Sequence, residues 1–234
     1  MVIMQILKER GIWAKTQVKY LLGVGSLFIL IGIGVCFLSN LAGGILALIG
    51  IGCIARSQSY IKGIMGERAV INSLKKLDDS YFLINDIVLF YKHGNIDHIL
   101  LGPQGIFIIE TKNYTGKIRC KGDSWERYGT DTTTRPRRRK YLPIKSISEQ
   151  VKRNAATMKT FLEKYGGDFS KRQIPRYPIV AFTNPYVELD LNHPTVPILR
   201  TGDLCTYVQN QSGSIFSPQE LEELGDIIIK HSVT

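Results

Sequence analysis

The chain has 234 residues, a formal net charge of +10 and four cysteines. That length holds one well-packed domain with an appendage, not a string of domains. Cysteines as scattered as 36, 53, 120 and 205 exclude a disulfide framework and a zinc site, and suit a reducing compartment.

Residues 1–20 form a basic segment with Lys8, Arg10, Lys15 and Lys19, and a charge-free stretch of 35 residues follows from Leu21 to Ala55. One helix of that length would run roughly 50 Å, well beyond a hydrocarbon core of about 30 Å. Ser39-Asn40 suits a tight turn near its middle, so the spacing predicts a transmembrane helical hairpin with spans at about 21–38 and 41–55. Arg56, Lys62 and Arg68 follow the stretch. Basic flanks at both ends favour an even number of crossings, with the remainder of the chain on the cytoplasmic side of the cell membrane. The second span is short enough that a re-entrant or interfacial segment also fits.

Beyond residue 57 the pattern is α/β. A helix is expected at about 59–77, with apolar residues at Ile61, Ile64, Ile71, Leu74 and Leu77. Strands are expected at 81–90, 95–101, 106–112 and 116–121, continuing around Trp125 to Tyr128. Gly129 to Pro143, rich in Thr, Arg and Pro, reads as a loop. "SISE" signals a capping box that starts a helix at Ser146, and Gly166-Gly167 stops it. "YPIVAFT" (177–183) and "VPILR" (196–200) read as strands, and "SPQE" starts a last helix with Ser217 as cap and Pro218 in its first turn. The order predicts a mixed β-sheet flanked by helices.

The hairpin within "NIDHILLGPQGIFIIETKNYTG" carries the chemistry. Folded about Gly-Pro-Gln-Gly, it pairs Gly102 with Gly105, Leu101 with Ile106, Ile99 with Ile108, and Asp97 with Glu110. Lys112 shares the face of Glu110, because strand side chains alternate. Opposed carboxylates about 5 Å apart repel by roughly 3 kcal/mol at an effective dielectric near 20. Protonation or a cation relieves this, and Mg²⁺ favours such oxygen ligands, with Mn²⁺ as a substitute. A one-residue bulge would instead turn the two groups to opposite faces. Glu67 interrupts the apolar stripe of the first helix, and Gln150 and Asn154 interrupt the stripe Ile147, Val151, Met158, Phe161 of the second. The four histidines have no metal-ligand spacing, although His98 neighbours Asp97.

The segments "GERAVINSLKKL", "LINDIVL" and "GNIDHILLGPQGIFIIETKNYTGKI" resemble the nuclease-related domain (NERD) family over about residues 62–183. That family is placed with the PD-(D/E)XK nucleases, so the resemblance implies a restriction-endonuclease-like fold for a domain spanning 57–234. It also implies a metal held by Asp97, Glu110 and the carbonyl of Thr111. Lys112 would position or help deprotonate the attacking water and steady phosphate charge, Glu67 would act through water as an outer carboxylate, and Gln150 would match the glutamine on the helix after the sheet. The proline of the "PD" pair is Ile96 here.

Between Thr111 and Arg153 there are 13 Lys or Arg against 4 Asp or Glu, a footprint for a polyanion. Arg135, Arg137, Arg138, Arg139, Lys140, Lys145 and Arg153 are the candidate nucleic-acid contacts, with Trp125, Tyr128 and Tyr141 available for stacking. The expectation is a membrane-anchored nuclease acting on DNA, with RNA compatible and a homodimer compatible. Two alternatives use the same residues: a catalytically inactive DNA-binding or scaffolding module, and a basic loop bound to anionic lipid.

Overall fold

The computed structural model describes residues 4–8, 12–36, 40–91, 94–131 and 138–233. The chain divides into two compact units, residues 11–65 and residues 1–10 with 66–234.

The first unit consists of α1 (Ile12–Cys36) and the greater part of α2 (Asn40–Leu74). Both are long and apolar enough to cross a membrane, with mean hydropathies of 2.0 and 1.5 over their apolar segments. Two glycine pairs bring them together. A Cβ on Gly25 would sit 2.9 Å from the carbonyl oxygen of Gly50, and one on Gly43 would sit 2.5 Å from that of Gly32. Each helix spaces its two glycines seven residues apart, so they share a face and let the backbones touch. Leu27, Leu30, Ile33, Leu41, Ile45 and Leu48 are exposed on the outside. Replacing Gly43 with valine would put a branched side chain into the backbone of Gly32. A circular-dichroism melt of the full chain in detergent is expected to show a lower melting temperature for that variant.

One expectation is corrected here and another falls outside the described residues. The second apolar span and the helix predicted at 59–77 are one element, α2, since no Gly-Pro or capping signal interrupts them. The Ser39 side of the expected turn lies outside the described residues.

The second unit holds two mixed sheets where one was expected. The larger has the order β1 (Gln5–Lys8), β2 (Phe82–Ile87), β3 (Ile96–Gly102), β4 (Gly105–Lys112), β8 (Arg176–Phe182), β10 (Ile198–Arg200). The smaller has the order β7 (Arg138–Ile144), β6 (Ser124–Asp131), β5 (Gly116–Lys121), β9 (Val187–Asn192). The chain leaves the first sheet after Lys112 and begins the second at Gly116, where φ is +79°.

The larger sheet is apolar on both faces, as strands between two helical layers must be. Leu83, Leu100, Phe107, Ile109, Ile179 and Ala181 pack with Val70 and Leu74 at the end of α2, with Leu77 just beyond it, and with Leu204 and Val208 of α4 (Leu204–Gln209). Ile84, Ile99, Leu101, Ile106 and Ile108 face α3 (Ile147–Tyr165) and α5 (Pro218–His231), in a core that also takes in Trp125 and Ile118 of the smaller sheet. Trp125 donates from Nε1 to Ser148 Oγ at 2.9 Å, so it is a core residue and not a stacking platform.

Ser146 caps α3 by accepting from the Glu149 amide at 3.1 Å. The Glu149 carboxylate turns to Arg153 at 3.9 Å, so the reciprocal arm expected at this cap is replaced by an ion pair. The expected loop from 129 to 143 is largely strand. β6 runs to Asp131 and β7 resumes at Arg138, with Pro143 tolerated because β7 lies at the sheet's edge.

Candidate active site

The pairing of β3 with β4 runs from Gly102–Gly105 through Leu101–Ile106 and Ile99–Ile108 to His98–Ile109. The next step in that register sets Asp97 against Glu110. There the ladder ends: the Thr111 amide donates to Asp97 Oδ2 at 2.8 Å, a side-chain oxygen standing in for a strand carbonyl. On the other flank Asp86 takes φ 55° and drops out of the β2–β3 pairing, which holds at Asn85–His98 and Ile87–Ile96. Such a conformation in a residue other than glycine marks a local constraint. Asp97 thus sits where the pairing with β4 ends and the pairing with β2 is interrupted.

Glu110 is 2% exposed. Its Oε1 accepts from Gln150 Nε2 at 2.7 Å and from the Lys112 ammonium in a short ion pair. Lys112 Nζ also donates to Gln150 Oε1 at 3.3 Å. Three of the five expected catalytic side chains, Glu110, Lys112 and Gln150, therefore form one closed triangle, with Gln150 delivered by the first turns of α3. Glu110 Oε2 is buried with no hydrogen-bond partner among the described residues.

Burial and the neighbouring Glu110 carboxylate push the Asp97 carboxyl up to about 8, against the opposing pull of the Thr111 amide and Lys112. Glu67 adds a smaller push in the same direction. Glu67 comes from α2, which packs on the opposite face of the sheet from α3 and its Gln150. Burial alone would lower the Lys112 ammonium, but the Glu110 carboxylate outweighs it by charge and hydrogen bond and holds it above its ordinary value. The arrangement is a carboxylate pair, Glu110 buried and Asp97 half-buried, that is short of positive charge. Among the described residues no group of three or more His, Cys, Asp or Glu side chains is disposed as a metal cage. The observation that fits a cation is the orphaned Glu110 oxygen beside a carboxyl driven toward its neutral form.

The basic residues divide. Arg135 and Arg137 lie outside the described residues. Arg138, Arg139, Lys140, Lys145 and Arg153 are exposed. Lys140 pairs with the buried Asp131 at 2.6 Å. Arg139 lies 5.1 Å over the Tyr128 ring, Tyr128 meets Tyr141 edge-on at 5.3 Å, and Arg119 covers Tyr141 at 3.8 Å. The tyrosines are thus already stacked on guanidinium groups, which stiffens the β6–β7 ribbon. The β5–β6 register, Ile118 with Arg127, carries the end of this ribbon back toward Gly116 and hence toward the end of β4 that bears Lys112.

Sequence reasoning missed Asn85 and Thr183. Asn85 is buried and faces His98 directly across β2 and β3; the polar pair Asn85-Asp86 interrupting "FLINDI" was the available signal. Thr183 Oγ1 is buried without a partner among the described residues, and follows β8 where its amide donates to the Lys112 carbonyl at 3.1 Å. Asn154, the second interruption of the α3 stripe, is buried.

A family model described as the nuclease-related domain (NERD) matches residues 62–183, more than half of the chain. Over 61 residues the chain is 41% identical to an uncharacterised protein of Bacillus anthracis, a match that takes in 24% of this chain and 29% of that protein. The chain therefore spans less than a third of the length of that curated relative. No solved structure matches.

Proposed function

The chain belongs to the nuclease-related domain family, and on that premise we propose that it is a metal-dependent nuclease that hydrolyses DNA phosphodiester bonds. We further propose that α1 and α2 anchor it in the cell membrane with the domain on the cytoplasmic side. The observation that carries the reading is the orphaned Glu110 Oε2 next to a carboxyl raised to about 8. Asp97 and Glu110, with the Thr111 carbonyl, would hold Mg²⁺ or Mn²⁺. When bound, such an ion polarises a phosphoryl oxygen and lowers the pKa of a bound water.

The contacts support the remaining roles. Gln150 fixes Glu110 and Lys112 together by donating to one and accepting from the other. Lys112 keeps its proton, so it acts as a fixed positive charge for the phosphate oxygens and is a poor base toward water. Arg138, Arg139 and Lys145 would contact phosphates on either side, together with Arg135, Arg137, Lys140 and Arg153.

Because the Asp97 carboxyl retains its proton up to about pH 8, metal must displace that proton. Apparent Mn²⁺ affinity is therefore expected to rise about tenfold per pH unit from pH 6 to 8 and then level off. Calorimetric titration in buffers of different ionisation enthalpy measures both the affinity and the proton released. A flat profile would exclude Asp97 as a ligand.

The test of the activity is incubation of the full chain, in detergent, with linear and circular DNA and with Mg²⁺, Mn²⁺ or EDTA. Cleavage that needs the metal supports the nuclease. The second reading, a binding module without chemistry, is favoured by the absence of a three-ligand cluster among the described residues. DNA retention with no cleavage under any metal would select it.

A further inference from the structure

Behind the sheet, on the α2 side, three polar side chains cross an otherwise apolar layer. His98 is fully buried, among Leu83, Leu100, Phe107 and Ile109. Its Nδ1 lies 2.7 Å from Asn85 Oδ1 and its Nε2 lies 3.1 Å from Thr111 Oγ1. An amide oxygen can only accept, so Nδ1 carries the proton. In the neutral ring Nε2 is then the acceptor and takes the Thr111 hydroxyl proton. Thr111 in turn donates its backbone amide to Asp97. The string runs from β2 through β3 to β4 and ends on the carboxylate that faces Glu110.

Burying Asn85 and His98, with Thr111 half-buried beside them, costs stability unless all three are satisfied, and the return is one fixed arrangement. The arrangement fixed here is that of Thr111, whose amide holds Asp97 at the point where the strand ladder ends and backbone pairing no longer does so.

We propose that His98 is a positioning residue for the carboxylate site: protonated at Nδ1 and clamped by Asn85, it sets Thr111, and through the Thr111 amide it sets Asp97. The proposal rests on the metal-site reading above, and its measurements separate the two. In the full chain in detergent micelles with ¹⁵N-labelled histidine, His98 is expected to show the pattern of a neutral ring protonated at Nδ1. A ring protonated at Nε2, or at both nitrogens, overturns the proposal whatever the metal does. His98→Phe fills the space without the hydrogen bonds and is expected to weaken Mn²⁺ binding roughly 10- to 100-fold, the usual effect of losing an outer partner of a ligand. Gln at the same position should recover part of that loss. Leu100→Ala, a cavity in the same apolar layer, is expected to lower the melting temperature and leave Mn²⁺ affinity unchanged. If His98→Phe does not fold, Asn85→Leu supplies the same comparison. Wild-type protein that binds no Mn²⁺ overturns the metal site and the proposal with it. Wild type that binds while His98→Phe, or Asn85→Leu in its place, binds equally well overturns the proposal alone.

Discussion

Asp97→Asn is expected to abolish metal-dependent DNA cleavage and at the same time to stabilise the metal-free protein at pH 8. The two effects have one origin. The Asp97 carboxyl is raised to about 8 in the fold, against about 3.9 when unfolded. The native state therefore binds the extra proton between those values, so the contribution of Asp97 to stability is complete below pH 4 and is lost as pH rises toward 8. Asparagine removes the repulsion with Glu110, worth about 3 kcal/mol for two carboxylates some 5 Å apart at an effective dielectric near 20, and its side-chain oxygen can still accept from the Thr111 amide. Melting curves at pH 5 and pH 8 in EDTA measure the effect: wild type loses stability across that interval and the variant much less. A variant no more stable than wild type at pH 8 would mean that the two carboxylates do not confront each other.

Lys112→Ala should lose cleavage as well, by 10²- to 10³-fold in turnover, the scale for removing one group that stabilises developing charge. Its effect on stability has the opposite sign. Without the ammonium, Glu110 is left as a buried carboxylate held, among the described residues, by Gln150 alone. Removing one partner of a buried pair costs about 3–5 kcal/mol. Addition of Mn²⁺ should return part of that stability by supplying positive charge to the same oxygens, which a thermal shift with and without the ion detects. Two substitutions in one site that both silence the reaction and move the melting temperature in opposite directions separate a site short of positive charge from a merely disturbed fold.

The hairpin that carries Asp97 and Glu110 was legible because its register follows from a four-residue turn and a strict alternation, both local properties. Gln150 was legible as a gap in the apolar stripe of a helix. What escaped depended on partners far along the chain. Gln5–Lys8 looks like part of a basic leader, and only the exposed edge of β2, more than 70 residues later, makes it a strand. Arg138–Ile144 has the composition of a loop, and its strand character comes from seven pairs with β6. Val187–Asn192 alternates apolar and polar residues, so β9 was within reach of the same rule that found the hairpin. The role of Glu67 needed the layer assignment: its helix packs on the far face of the sheet, which periodicity along α2 does not reveal. His98 drew notice as a neighbour of Asp97, whereas its connection to Asn85 required the β2–β3 register.

The pairing of β1 with β2 changes what the two apolar helices are to the domain. They are an insertion between a strand and the rest of its own sheet, since residues 1–10 and 66–234 fold together and 11–65 form the other unit. A chain trimmed of its first 56 residues to gain solubility would lose Gln5–Lys8 along with the helices. The outer edge of β2 would then carry unpaired amides and carbonyls, an invitation to pair with another copy, and Leu7 would no longer cover Gly225. Aggregation of such a trimmed protein would report a missing strand and say nothing against the site. Joining residues 1–10 to Gly66 through a flexible linker keeps the strand and removes the helices.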